Sequence, residues 1–300
     1  MFKALTLLFV LVSVLFAQKS PTSKQIKSAD NEEIVRKSRE SIGMNKQELK
    51  SVYYKTKTSM LGKTQNGNTI PDFISEISLN LPDKIRVISS SGAPFNFSST
   101  KTWNVENYKS ISEMEVMGQK FIKDDTKESG EQKGFEILEG TISKDKLTAL
   151  KNSKKLDPKE VLVESMWTEL FPLILAHPFE KDLNFNYIGK AKANNVTANV
   201  VDFKPKNGKN YRLLFDAETN YLLMMIVNYK RDDPFFIGDV ETKYYYSERE
   251  LSGDILIPKK IKVENKQTAA GQKPKIGFQN IEILEFKFNP ELKESLFEIK

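Results

Sequence analysis

The chain has 300 residues, 29% of them charged, with 46 Lys and Arg against 40 Asp and Glu for a formal net charge of +6. It has no cysteine and one histidine, His177. That excludes disulfide staples, the common zinc sites, and any Ser-His-Asp triad built away from that residue. The lysines are scattered, so the charge reads as solubility with at most a mild attraction to anionic surfaces, and no nucleic-acid partner is expected.

In chain order, Met1-Phe2-Lys3 precedes an apolar or small run from Ala4 to Ala17. One early cation, a short apolar core and a small closing residue predict a secretory signal peptide over 1–17. The run is too short for a spanning helix. A polar lead-in over 18–28 and a single domain over 29–300 follow. Without a cysteine after the signal, N-terminal acylation is excluded, and a secreted chain that is not a lipoprotein is expected.

Asp30 with Glu33 three residues on, then Ile34, Val35 and Ile42, predicts a first helix that Gly43 stops. Strands come next. "SVYYKTKTSML" (51–61) sets Val52, Tyr54 and Thr56 against Tyr53, Lys55 and Lys57. "FISEISLNLPDKIRVISSS" (73–91) reads as two strands around the Pro82-Asp83 turn. "TKTWNVENY" is another short candidate carrying Trp103. Residues 109–156 are charged and sparse in apolar side chains, which predicts an insertion with one or two helices.

"DPKEVLVESMWTELF" (157–171) has Asp157 as N-cap, Pro158 at the first helical position and Glu160 at the capping-box position. Val163, Met166, Trp167, Leu170 and Phe171 then recur at helical steps. Pro172 is expected to kink or end that helix. Seven strands follow, at 183–190, 196–204, 210–215, 221–229, 239–247, 255–264 and 276–288, joined by short turns. Helix, strands, helical insertion and strands make an α+β layout with one curved antiparallel sheet.

The hairpin "NYRLLFDAETNYLLMMIVNYK" (210–230) lacks the usual alternation, because Tyr221 to Val227 has no polar position. If Asp216 faces Tyr221, Phe215 lies across from Leu222, Leu213 from Met224 and Tyr211 from Ile226. One face is then wholly apolar. A second sheet, helices or an apolar ligand must cover it. Two short helices cannot shield so wide a sheet, which leaves room for a ligand cavity. Nineteen Phe and ten Tyr against two Trp agree with that.

The stretch "YIGKAKANNVTANVVDFKPKNGKNYRLLFDAETNYLL" (187–223) resembles a recurrent unit of the outer-membrane lipoprotein-carrier class, the LolA/LolB-like superfamily. "LSGDILIPKKIKV" (251–263), "LFEIK" (296–300) and "IVRKSRESIGMNKQELKSVYYKTKTSML" (34–61) extend the resemblance. Two departures stand out: Asn220 replaces the usual glycine, and 109–156 matches nothing in the class. The resemblance implies an incomplete, half-open β-barrel with helices over its concave face, enclosing a cavity for acyl chains.

On that reading Trp103, Met166, Trp167, Leu170, Tyr211, Leu213, Phe215, Leu222, Met224 and Ile226 are the candidate lining. Lipid or lipoprotein acyl chains are the expected ligand, with an envelope membrane protein as a possible partner. The alternative is a non-catalytic envelope scaffold of the same fold with a filled core. A hydrolase has the least support, since no nucleophile-and-base pair stands out. Asp124-Asp125 and Asp232-Asp233 lack calcium-loop spacing, and there is no Gly-rich phosphate loop. No metal, cofactor or catalysis is therefore expected.

Overall fold

A computed structural model describes residues 29–44, 48–62, 69–81, 84–92, 97–104, 109–116, 119–126, 170–175, 184–193, 195–204, 209–233, 236–269 and 271–298. The signal and lead-in segments, the 157–169 helix and His177 lie outside these. Helix α1 (Ala29–Ser41) is followed by β1 (Ser51–Leu61), β2 (Phe73–Asn80), β3 (Lys84–Ser91), β4 (Phe97–Asn104), β5 (Lys109–Val116) and β6 (Gln119–Thr126). A single helical turn, α2 (Phe171–Ile174), precedes β7 (Phe185–Ala193), β8 (Val196–Phe203), β9 (Asn210–Asp216), β10 (Leu222–Asp233), β11 (Phe236–Ser252), β12 (Ile255–Ala269) and β13 (Lys275–Phe288). A 3-10 turn spans Glu294–Phe297.

All thirteen strands form one sheet, in the order β6-β5-β4-β3-β2-β1-β13-β12-β11-β10-β9-β8-β7. Every neighbouring pair is antiparallel. The sheet is open, with β6 and β7 as its edges. Two meanders are thus joined in the middle by β1 and β13, whose register sets Val52 opposite Phe288 and Tyr54 opposite Phe286. Asn289 fastens that joint. Its Oδ1 accepts from the backbone N–H of Lys50 at 2.8 Å, and its Nδ2 donates to the Glu48 carbonyl at 2.8 Å.

Residues 109–126 correct the sequence expectation. Within them Lys109–Val116 and Gln119–Thr126 form β5 and β6, the outer two strands at one side of the sheet, with β6 its edge; residues 127–156 of the expected insertion lie outside the described residues. The first helix is as expected, and Gly43 closes it with φ +87°. Glycine is required at that point twice over. An L side chain resists this backbone conformation, and a Cβ would stand 2.3 Å from the Asp254 carbonyl oxygen. Pro172 sits in the first turn of α2, where backbone N–H groups have no intrahelical acceptor to lose; the helix it was expected to kink or end lies outside the described residues.

One face of the sheet carries the main core. Val52, Tyr54, Ile77, Leu79 and Ile85 supply it from β1–β3, and Tyr211, Leu213, Phe215, Met225, Val227, Tyr246, Ile261, Val263 and Ile283 from β9–β13. Val35, Ile42 and Met44 from in and after α1, and Leu170 to Leu175 around α2, complete the same cluster. The Arg39 guanidinium of α1 donates through Nε to the Leu175 carbonyl, tying the two helical pieces together. Asn31 of α1 accepts from the Tyr187 N–H at 2.8 Å, so α1 also satisfies part of the β7 edge.

The β9–β10 hairpin explains its own anomalous sequence. Asp216 N–H donates to the Tyr221 carbonyl at 2.8 Å, and Asn220 takes the expected left-handed conformation with φ 61°. The register shifts between Leu222 and Met224, a β-bulge. Beyond it Met224 faces Leu214, Met225 faces Leu213 and Val227 faces Tyr211, which overturns the pairings of Leu213 with Met224 and Tyr211 with Ile226. Met225 and Val227 therefore join the main core. Leu223, Met224 and Ile226 pack on the opposite face with Ala193, Ala198, Val200 and Leu214 in a second, smaller cluster. Both faces of β10 are apolar because each belongs to a core.

Two outcomes follow. Gly43→Ala is expected to lower stability by about 2 kcal/mol or more, read as a reduced urea midpoint. For Asp216, burial alone would raise the carboxyl pKa, but N–H donation from Glu218 and Thr219, the Thr219 hydroxyl and nearby Arg249 outweigh it and hold it below its ordinary 3.8. A carboxyl depressed in the folded state stabilises above its unfolded pKa and loses that contribution as pH falls through the folded value. The advantage of the natural chain over Asp216→Asn in urea unfolding should therefore be full at pH 7 and shrink on acidification below about pH 4.

Candidate functional site

Neighbouring strands are about 4.8 Å apart, so β3 and β11, five steps distant in the sheet, would lie roughly 24 Å apart if it were flat. Val87 and Ser89 of β3 nevertheless line one cavity with Thr242, Tyr244 and Tyr246 of β11. The sheet is therefore strongly bent. The cavity is partly open and has a volume of about 370 Å³, within the range of small-molecule sites. Pro172 and Leu173 of α2 form part of its wall.

Its lining is mixed. Tyr54, Ile77, Tyr246, Ile261, Val263 and Ile283 present apolar carbon continuous with the main core. Among them Thr56, Thr58, Ser75, Ser89, Thr242, Asn265 and Gln279 present hydroxyls and amides, Thr56 lying directly opposite Ile283. Ser75 and Ser89 share a hydrogen bond of 2.9 Å, and Asn265 Nδ2 donates to Thr242 Oγ1 at 2.8 Å. Among the described lining residues there is no Asp, Glu, Lys, Arg or His.

The charges of these strands lie on the opposite face. Lys55 pairs with Glu76 at 2.7 Å, and Lys57 with Asp72 at 2.8 Å. The hydrogen bond to the carboxylate raises each lysine's pKa. Such exposed pairs contribute little to stability; their effect is to keep that face wet. Tyr246 shows how dry the cavity wall is there, since burial, then neighbouring Tyr244, pushes its phenol well above the usual tyrosine value.

The ten residues expected from sequence fall into three groups. Leu170, Tyr211, Leu213, Phe215 and Leu222 are packed solid in the main core beside the cavity. Phe203 stacks on Tyr211 with centroids 4.8 Å apart and meets Phe171 edge-on at 6.0 Å, so α2 fills the ground over β8 and β9. Met224 and Ile226 are on the far face. Trp103 occupies the β4 position opposite Ile85, while Met166 and Trp167 lie outside the described residues. None of the seven with described side chains lines the cavity. Sequence reasoning missed Thr56, Ser75, Ser89, Tyr244, Tyr246, Ile261 and Ile283. Period-two alternation places each on the inner face, but only the strand register brings them together.

Chemically the described lining offers apolar contacts and neutral hydrogen-bonding groups. No group of three or more His, Cys, Asp or Glu that could bind a metal occurs among the described residues. The charge-free lining holds no acid–base pair.

No protein-family model matches the chain, and no curated protein matches it. Among solved structures it is similar to a Vibrio parahaemolyticus domain assigned to outer-membrane lipoprotein sorting, at 11% identity and a TM-score of 0.49, over 90% of this chain and 97% of that one. It is also similar to a DUF1329 family protein from Desulfovibrio piger, at 11% identity and a TM-score of 0.47 over the same shares. A Pseudomonas aeruginosa MucA/MucB complex structure follows at 10% identity and a TM-score of 0.19, over 85% and 94%. Likenesses of this depth leave the family open.

The bulge makes a sharp prediction about two adjacent methionines. Met225→Asp would bury an unpaired carboxylate in the main core and should cost on the order of 4 kcal/mol or abolish folding. Met224→Asp, half-exposed on the other face, should cost about 1 kcal/mol. Thermal unfolding of the two variants side by side measures the difference; equal losses would contradict the shifted register.

Proposed function

We propose that the protein is a non-catalytic carrier of the bacterial periplasm that shelters an acyl chain of a lipid or lipoprotein between its bent sheet and the helical pieces on the concave face. The observation that carries this reading is the cavity itself, lined by apolar carbon and uncharged polar groups with no charged side chain among its described residues. An acyl chain entering it gains roughly 0.8 kcal/mol for each methylene removed from water. The signal-like segment and the sequence resemblance to the lipoprotein-carrier class support the location and the cargo.

The solid packing of Tyr211, Leu213 and Phe215 against α2 favours a second reading, a scaffold for an envelope protein partner. It narrows the space open to a ligand to the Tyr54–Tyr246 side.

Native mass spectrometry of the gently purified full chain separates the two. A carrier should retain lipid, and Thr58→Trp, which places an indole in the cavity, should release most of it with the fold intact by circular dichroism. A protein that is lipid-free from the outset and ignores apolar dyes would be a scaffold.

A further inference from the structure

We infer, resting on the acyl-chain reading above, that the cavity selects amphiphiles whose head is uncharged and bears hydroxyl or ester oxygens, and rejects carboxylate and phosphate heads. The observation is a row of hydroxyls aligned across four strands. Register places Thr56 opposite Ser75, Ser75 opposite Ser89, and Ser89 opposite Ser99. All four therefore point to the same face at the same height along the sheet. Across the cavity the hydrogen-bonded pair Thr242 and Asn265 faces in from β11 and β12.

Three of these strands, β1, β2 and β3, each contribute one hydroxyl of the row to the cavity wall, from Thr56, Ser75 and Ser89. In the adjacent row the register pairs Tyr54 with Ile77 and Ile77 with Val87, all three at the cavity wall. A molecule with its chain against that apolar row would have its head at the hydroxyl row. Each hydroxyl carries one donor and two acceptor positions, so the 2.9 Å bond between Ser75 and Ser89 leaves both with capacity for a ligand. Ester carbonyls and glycerol hydroxyls are matched by such groups.

An ionised head is not. Burying a carboxylate or phosphate away from water is costly unless a cation meets it, and the described lining provides none. The contrast is not a shortage of lysine, since Lys55 and Lys57 alternate with Tyr54, Thr56 and Thr58 along the same strand and are turned to the other face. The segregation follows from strand pleating, and it gives the cavity neutral hydrogen-bonding groups.

The test compares three probes that share one chain and differ in the head: 1-monopalmitoylglycerol, palmitate and 1-palmitoyl lysophosphatidate. Each displaces a fluorescent apolar dye from the delipidated full chain at neutral pH. Monopalmitoylglycerol should bind at least about tenfold more tightly than either anion, as expected when polar groups of a site are matched rather than left unpaired. The double variant Thr56→Val/Ser89→Ala, and more mildly Ser75→Ala, should bring the three within about threefold with the fold intact by circular dichroism. Equal or tighter binding of palmitate or lysophosphatidate overturns the head preference and leaves the acyl reading standing. If the dye binds and no palmitoyl probe displaces it, or neither dye nor probe binds, the acyl reading fails and this inference with it.

Discussion

The thirteen described strands form an open sheet whose apolar face is buried by its own bend together with the residues in and around α1 and α2. The continuity of the sheet depends on one long-range pairing, β1 with β13. That pairing joins a meander from the start of the chain to one from its end, and it places Tyr54 against Phe286 with ring centroids 6.1 Å apart. The main core, the seat of α2 and the cavity all lie on the side toward which the sheet bends.

Within that frame the two halves of the inner face are treated differently. Over β8 and β9 the large side chains Phe203, Tyr211, Leu213 and Phe215 meet Phe171 and Ile174 and pack without space. Over β1–β3 the inward residues include the short side chains Thr56, Thr58, Ser75 and Ser89, and a hollow of about 370 Å³ remains between them and Thr242, Tyr244 and Tyr246 of β11. Filled and hollow regions share one continuous surface of carbon.

Much of the fold was legible beforehand. Alternation marked β1, β2, β3 and the seven C-terminal strands, glycine chemistry marked the end of α1, and Asn220 marked the left-handed residue of the hairpin. Three features were not. Strands β5 and β6 are too polar to show a clear period. Pro172 is compatible with both ends of a helix, and only its neighbours decide which. The bulge after Leu222 inserts one residue into a run of apolar side chains, where an extra residue leaves no mark because every position in "LLMMIV" is apolar.

The sequence alone determined which residues alternate toward one side of each strand, where the turns fall, and that no cysteine or histidine cluster would supply the chemistry. Local physics suffices for these, since pleating, glycine conformation and side-chain type act over a few residues. Tertiary structure decided which strands are neighbours, on which face Met224 and Met225 lie, and that Thr56, Ser75, Ser89, Thr242 and Asn265 border one cavity. Register between strands distant along the chain is set by the summed burial of whole faces, and no short window of sequence contains that sum.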